Sequence, residues 1–280
     1  MRIHVWGCRG SIASSGPDTI RYGGNTSCVE VRLRSGEVLV LDAGTGVRPL
    51  GARLVEEGTR RINLLLTHLH VDHLEGLGAF APIWSPETDL HIWGPASPVA
   101  SLADRVATYF SPPLFPVHLS EVPAKITFHD ASETSWGIGD VHVRANAIVH
   151  PGPTVGYRIE EGGRTLTYLT DHEPSLGVDL ATEPSEWISG LALAHGADLL
   201  IHDCQYTPLE YEQRVGWGHS TTEHVAVFAE KAAADRLLLY HHDPMHSDAM
   251  LESMRDEVLA RWDVAPERCT LAAEGAALEV

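Results

Sequence analysis

The chain has 280 residues, 44% hydrophobic and 21% charged, an ordinary globular composition that excludes disorder and collagen-like structure. One domain of this length removes roughly 75% of its unfolded surface from water. Twenty Lys plus Arg against 38 Asp plus Glu leave a formal charge of −18, which argues against a long nucleic acid as partner, because such a ligand needs several positive phosphate contacts. No apolar run approaches the roughly 20 residues of a membrane helix. Met1-Arg2-Ile3-His4-Val5-Trp6-Gly7 reads as a strand and turn, not as a leader. A cytoplasmic protein is therefore expected, without a membrane partner. A homodimer is the expected assembly, although no residue pattern fixes its interface. Cys8, Cys28, Cys204 and Cys269 are scattered, with no C-x-x-C pair, and read as reduced, mostly buried thiols.

In chain order, β-rich runs are predicted at Ile3–Trp6, Cys28–Leu33, Glu37–Leu41, Ile62–Leu66, His91–Trp93, Val141–Val149, Thr154–Ile159, Leu166–Leu169, Leu199–Ile201 and Leu237–Tyr240. Helical patterns fall at Arg48–Glu57, Pro98–Tyr109, Glu186–His195, Thr222–Ala234 and Asp248–Trp262. Hairpins followed by strand–helix alternation predict two packed sheets with outer helices. No linker or repeat interrupts the chain, so residues 1–280 read as a single domain. Ser111-Pro112-Pro113-Leu114-Phe115-Pro116 cannot be regular structure and reads as a surface loop or lid. Ser220-Thr221-Thr222-Glu223 fits a capping box, which sets His219 just before a helix start where free N–H groups attract anions.

The 17 histidines are the compositional outlier, and they cluster. Thr67-His68-Leu69-His70-Val71-Asp72-His73 follows the apolar strand Ile62–Leu66 directly. His68 and His70 alternate onto one side of an extended segment, and a tight turn can bring Asp72 and His73 beside them. Four oxygen or nitrogen donors in six residues suit two borderline divalent ions. Further candidates end later strands: His150, Asp171, His202-Asp203 and His241-His242-Asp243. Strand tips gathered along one edge are where sites form in α/β folds.

This ordered set resembles the metallo-β-lactamase superfamily, and more narrowly the branch holding tRNase Z and its phosphodiesterase relatives. The resemblance rests on His68-Leu69-His70-Val71-Asp72-His73, His150 with Gly156-Tyr157-Arg158-Ile159, Thr170-Asp171, His202-Asp203-Cys204-Gln205-Tyr206, Gly218-His219-Ser220-Thr221 and Leu239-Tyr240-His241. It implies an αββα four-layer sandwich: two packed mixed β-sheets flanked by helices. It further implies that His68, His70 and His150 bind one metal and Asp72, His73 and His241 a second, with Asp171 bridging both. Zinc is the expected ion, with manganese or iron as alternatives. His242 and His246 stay open as additional ligands. Two departures matter. The tRNA enzymes carry a long arm between the third His and the bridging Asp, where this chain has only Pro151 to Thr170. They also have Glu in an H-E-A-T motif where this chain has Asp203, on a shorter stem.

Two such metals can hold a bridging hydroxide and neutralise a phosphoryl oxygen during in-line displacement. Asp72 is expected to orient that hydroxide, and His219, held by Asp203, to protonate the leaving alkoxide. The expectation is a hydrolase of small phosphodiesters, with cyclic nucleotides as the leading guess. Phe110, Leu114 and Phe115 are candidates for stacking on a base, or else for capping the core. The alternatives are a tRNase Z-like endoribonuclease, a thiolester or lactone hydrolase on the same metal site, and a non-catalytic metal-dependent binding module. An oxygen-reducing di-iron protein is disfavoured because position 70 is His, where that family uses Glu.

Overall fold

A computed structural model describes residues 1–280. Fourteen strands form two seven-stranded sheets. The first sheet contains β1 (Arg2–Gly7), β2 (Cys28–Arg32), β3 (Val38–Leu41), β4 (Arg61–Leu65), β5 (Asp89–Gly94) and β6 (Lys125–Asp130), with β14 (Ala277–Glu279) beside β1. The second runs from β7 (Thr134–Ile138) through β8 (Val141–Ala147), β9 (Val155–Glu161), β10 (Arg164–Leu169), β11 (Leu199–Asp203) and β12 (Leu237–Tyr240) to β13 (Cys269–Leu271). Both are mixed: β3–β6 pair in parallel, as do β10–β13, and the remaining pairs are antiparallel. Helices α1 (Val47–Glu56) and α2 (Leu102–Tyr109) cover the first sheet. The outer face of the second carries α3 (Leu191–Ala194), α5 (Thr222–Lys231) and α6 (Asp248–Trp262), while α4 (Pro208–Tyr211) is a single turn. The αββα sandwich expected from sequence is the architecture observed.

The strand alternation explains the layering. In β3, Leu39 and Leu41 enter the core between the sheets, while Val38 and Val40 pack outward against the helices. In β12, Leu238 and Tyr240 face inward, and Leu237 and Leu239 face α5 and α6. Both faces of these strands are buried, which is why they read as continuous apolar runs. Three interior tyrosines hydrogen-bond across to the first sheet. Tyr157 Oη donates to Leu66 O at 2.6 Å, Tyr168 Oη to Asp42 Oδ2 at 3.0 Å and Tyr240 Oη to Gly7 O at 2.6 Å. All three acceptors lie at or just past the ends of β1, β3 and β4, so the sheets are cross-linked there.

Several expected elements differ. The helix expected over 186–195 is only the four-residue α3, because Gly190 at φ +72° breaks it from the turn at Ser185–Trp187. The helix expected from Pro98 begins at Leu102, where Ser101 accepts from Asp104 N. The N-cap of α5 is Thr221, which accepts from His224 N, and not Ser220. Four strands escaped the pattern: β6, β7, β13 and β14. β13 and β14 have three residues each. β6 and β7 are the edge strands of the two sheets; β6 is half-buried between its exposed ends without alternation, and β7 alternates only weakly between half-buried and exposed, with Trp93 of β5 stacking on Trp136 of β7, ring centroids 4.2 Å apart. Ser111–Pro116 lacks regular structure, as its prolines require.

The layering predicts a contrast in stability. Ile201→Ala, in the fully buried core between the sheets, should lower unfolding free energy by about 2–5 kcal/mol. Leu209→Ala, at a side chain 75% exposed, should stay within about 0.5 kcal/mol. Denaturant melts of the two variants check this.

Candidate metal centre

The site is built where parallel strands of both sheets end. His68 and His70 follow β4 on extended backbone, and a 3-10 turn at Val71–His73 folds Asp72 and His73 back beside them. Asp171 follows β10 and His241 follows β12. Asp42, Asp171 and His241 each take left-handed backbone, at φ 60°, 52° and 57°. That conformation is uncommon outside glycine and gathers at functional sites. Here it turns the chain sharply at the strand tips.

Two groups of donors result. His68, His70 and His150 present ligand atoms to one another, as do Asp72, His73, Asp171 and His241. The carboxylate of Asp171 lies between them. Its Oδ1 faces His68 Nε2 at 3.7 Å and His150 Nε2 at 3.9 Å, while its Oδ2 faces His73 Nε2 at 3.0 Å and His241 Nε2 at 3.2 Å. Asp72 Oδ2 is 3.3 Å from His73 Nε2 and 3.2 Å from His241 Nε2. His70 Nδ1 lies 3.1 Å from His150 Nε2.

The donor chemistry fits divalent ions. His68 is buried and its Nε2 has no partner, and burial holds its pKa well below the ordinary histidine value, so a neutral lone pair faces the centre. Burial likewise brings His150 down to about 4. At His73 burial opposes protonation, but Asp171, Asp72 and Asp42 outweigh it and raise the pKa well above ordinary. This half of the site calls for positive charge. Donors around 3.0–3.3 Å apart match the edge of a tetrahedron about an ion bound at roughly 2.0–2.1 Å.

The outward nitrogens are held by the chain. His68 Nδ1 donates to Thr67 Oγ1 at 3.1 Å, and Thr67 Oγ1 donates to Asp42 at 3.0 Å. His73 Nδ1 lies 2.9 Å from Asp42 Oδ2, a close electrostatic contact without hydrogen-bond alignment. His150 Nδ1 donates to Gly218 O at 2.9 Å, and His241 Nδ1 to Gln205 Oε1 at 2.9 Å. These partners orient the imidazoles and leave Nε2 as the inward atom. Glycine is required at two of the approaches. A Cβ at Gly10 would sit 2.5 Å from the His241 ring, and one at Gly218 would sit 2.1 Å from His150 Nδ1. Ser11 N donates to Asp72 Oδ2 at 2.8 Å.

His219 stands beside both groups. Its ring stacks on His241 with centroids 5.1 Å apart, and its Nδ1 donates to Asp203 Oδ2 at 2.7 Å. Asp203 Oδ1 accepts from Ser220 N and Gln205 N. Burial would lower the His219 pKa, yet the Asp203 carboxylate prevails and raises it. The shorter stem of Asp203 therefore does reach the ring.

Other expected residues lie elsewhere. His242 Nε2 donates to Ala272 O at 3.0 Å, and His246 Nε2 pairs with Glu210 at 2.9 Å, so neither joins the donor groups. Phe110 is 0% exposed in the layer under α2, which assigns it to the core and not to base stacking. Phe115 packs on it, centroids 4.7 Å apart, and Leu114 is 69% exposed. Phe110 lines a mainly apolar groove of about 500 Å³ that includes none of the clustered ligands. The sequence reading missed Asp42, Thr67, Gln205 and Glu173. Asp42 ends an apolar strand as Asp171 does, and that shared position is the signal that could have found it. Glu173 is buried and accepts from Tyr211 Oη at 2.5 Å, Gly216 N at 2.9 Å and Gly218 N at 2.7 Å. It thereby fixes the loop that carries His219.

Because Asp42 holds both His68, through Thr67, and His73, Asp42→Asn should weaken metal binding about 10–100-fold, the usual loss when such an outer partner is removed. Competition with a chelator, with folding followed separately, measures it.

Comparison with known proteins fits this geometry. Residues 38–242 match the family described as the beta-lactamase superfamily domain. A ribonuclease Z of Mycolicibacterium gilvum is 29% identical, over 88% of this chain and 87% of its own. The short form of human tRNase Z superposes with a TM-score of 0.68 at 21% identity, covering 100% of this chain and 99% of the other. A diphosphatase from the PhnP family gives 0.66 at 18% identity, covering 100% and 97%. No helix is long and apolar enough to cross a membrane. With the family match spanning most of the chain and the strand-tip cluster in place, the protein belongs to the metallo-β-lactamase superfamily.

Proposed function

We propose that this protein is a metal-dependent phosphodiester hydrolase acting on small substrates, cyclic nucleotides among them. The observation that carries the reading is the pairing of two donor groups through the two oxygens of Asp171, with the His219–Asp203 pair alongside. His68, His70 and His150 would hold one ion, Asp72, His73 and His241 the other, and Asp171 both, with zinc suited to this N/O set. Two divalent ions bound there would supply Lewis-acid charge to the phosphoryl group and an activated water. Asp72, fixed by Ser11 N, would orient the nucleophile. His219 would deliver a proton from Nε2 to the leaving oxygen, since its Nδ1 is committed to Asp203.

Two features support a small substrate. Between His150 and Asp171 the chain forms only the β9–β10 hairpin, turning at Gly162-Gly163, with no protruding arm. The formal charge of −18 opposes a long polyanion. The ribonuclease Z relatives favour a second reading, RNA 3′-end cleavage. A substrate panel decides between them: bis-p-nitrophenyl phosphate, cyclic nucleotides, pre-tRNA, thiolesters and lactones. Turnover of the small diesters with poor cleavage of pre-tRNA is expected. Efficient pre-tRNA processing at physiological salt would give the second reading, and thiolester or lactone hydrolysis without diester cleavage would overturn both.

His219→Ala should retain metal and lower kcat more than it raises KM, by about 10²–10⁴-fold for an alkoxide leaving group. The loss should shrink for p-nitrophenolate, which leaves without a proton. An equal loss on both substrates would instead assign His219 to phosphate binding.

A further inference from the structure

We propose that a cavity beside His68 and His70 is a subsite for a sugar-phosphate arm of the substrate, with Arg105 as its anion-binding, specificity-determining residue. This rests on the diesterase reading and goes beyond it by naming what flanks the scissile phosphate. The cavity holds about 300 Å³, at the small end of ligand sites and sized for one nucleotide-like arm rather than a folded RNA. His68 and His70 belong both to the donor cluster and to the cavity wall. The cavity therefore adjoins the cluster, and a diester held there would extend one arm into it.

The lining states the chemistry of that arm. Beyond Leu69 and the Pro151–Pro153 turn, it consists of the two histidines, Ser97, Arg105 and Thr108. Hydroxyl and guanidinium groups match sugar hydroxyls and phosphate oxygens better than the face of a base. Arg105 reaches this wall from α2 and donates through one terminal nitrogen to Pro95 O. Its Nε is buried and has no partner. A ligand in the cavity would meet not this atom but the second terminal nitrogen, which is neither buried nor bonded within the chain. Asp130 is the acidic group that acts on Arg105, without approaching it closely enough to form an ion pair. In a chain with 20 basic residues against 38 acidic ones, an unpaired cation beside the donor cluster is a local exception to the repulsive field. It favours a single anionic group, not a polyanion.

The test uses the metal-loaded protein and calorimetric binding of thymidine 3′,5′-bisphosphate against thymidine 5′-phosphate. The wild type should bind the bisphosphate about tenfold more tightly. Arg105→Met, which keeps the stem length and removes the charge, should bind the two alike while its affinity for the monophosphate stays within about twofold. Arg105→Lys should retain part of the preference, and it carries the test if the Met variant fails to fold. No preference in the wild type, or a preference that survives Arg105→Met, would overturn the subsite. Turnover of bis-p-nitrophenyl phosphate, which has no sugar phosphate, tests the diesterase reading separately. Binding preference without turnover keeps the anion site and removes that reading, whereas turnover without preference removes the subsite alone.

Discussion

Asp42 accepts from Thr67 N at 2.7 Å, Thr67 Oγ1 at 3.0 Å and Tyr168 Oη at 3.0 Å, and faces His73 Nδ1 at 2.9 Å, with no exposure to solvent. A carboxylate can be buried only when its lone pairs are filled in this way. The partners come from two parts of the protein: Thr67 and His73 flank one loop of the first sheet, and Tyr168 comes from the second sheet. The same oxygen atoms thus bind the sheets together and set the orientation of two imidazoles. Fold and site share one electrostatic anchor, so loosening either disturbs the other.

The strand-end donors were legible because the chemistry that metal binding demands, histidine and aspartate, interrupts apolar runs abruptly. His68, His70, His150, Asp171 and His241 all announce themselves by that contrast, and the structure gathers them. Asp42 carries the same mark but lies far from the dense motif, and its role depends on which strand pairs beside it. That pairing, β3 against β4 with Asp42 opposite Thr67, is a long-range fact. Phe110 shows the reverse failure. An aromatic residue next to a proline-rich loop looks like a lid, and only tertiary burial shows that it belongs under α2. Arg105 and Thr108, five and two residues before it, line the cavity that also includes His68 and His70.

The acidic surface and the acidic site act on different scales. Exposed charges are screened within about 10 Å at ordinary salt, and they set which partners approach. Inside the cluster the carboxylates of Asp42, Asp72 and Asp171 sit within a few ångströms of four imidazoles. There they set protonation. His73 is driven up and His68 down, although only four residues separate them. Burial and position relative to three carboxylates, not residue type, decide which imidazole is pulled toward positive charge, and a bound cation would supply that charge at His73 in place of a proton.

The left-handed backbone at Asp42, Asp171 and His241 also limits how these positions can be varied. A side chain with a Cβ is disfavoured there by about 1–2 kcal/mol, with Asn, Asp and Gly the tolerated types. Alanine scanning at these three sites would therefore mix backbone strain with loss of the functional group, and β-branched replacements would be worse. At Asp42 and Asp171 asparagine preserves the local turn and isolates the charge, while at all three sites glycine relaxes the turn and isolates the side chain. The sequence space open to drift at the strand tips is correspondingly narrow: a residue here must suit a rare dihedral as well as its chemistry, and few of the twenty amino acids do both.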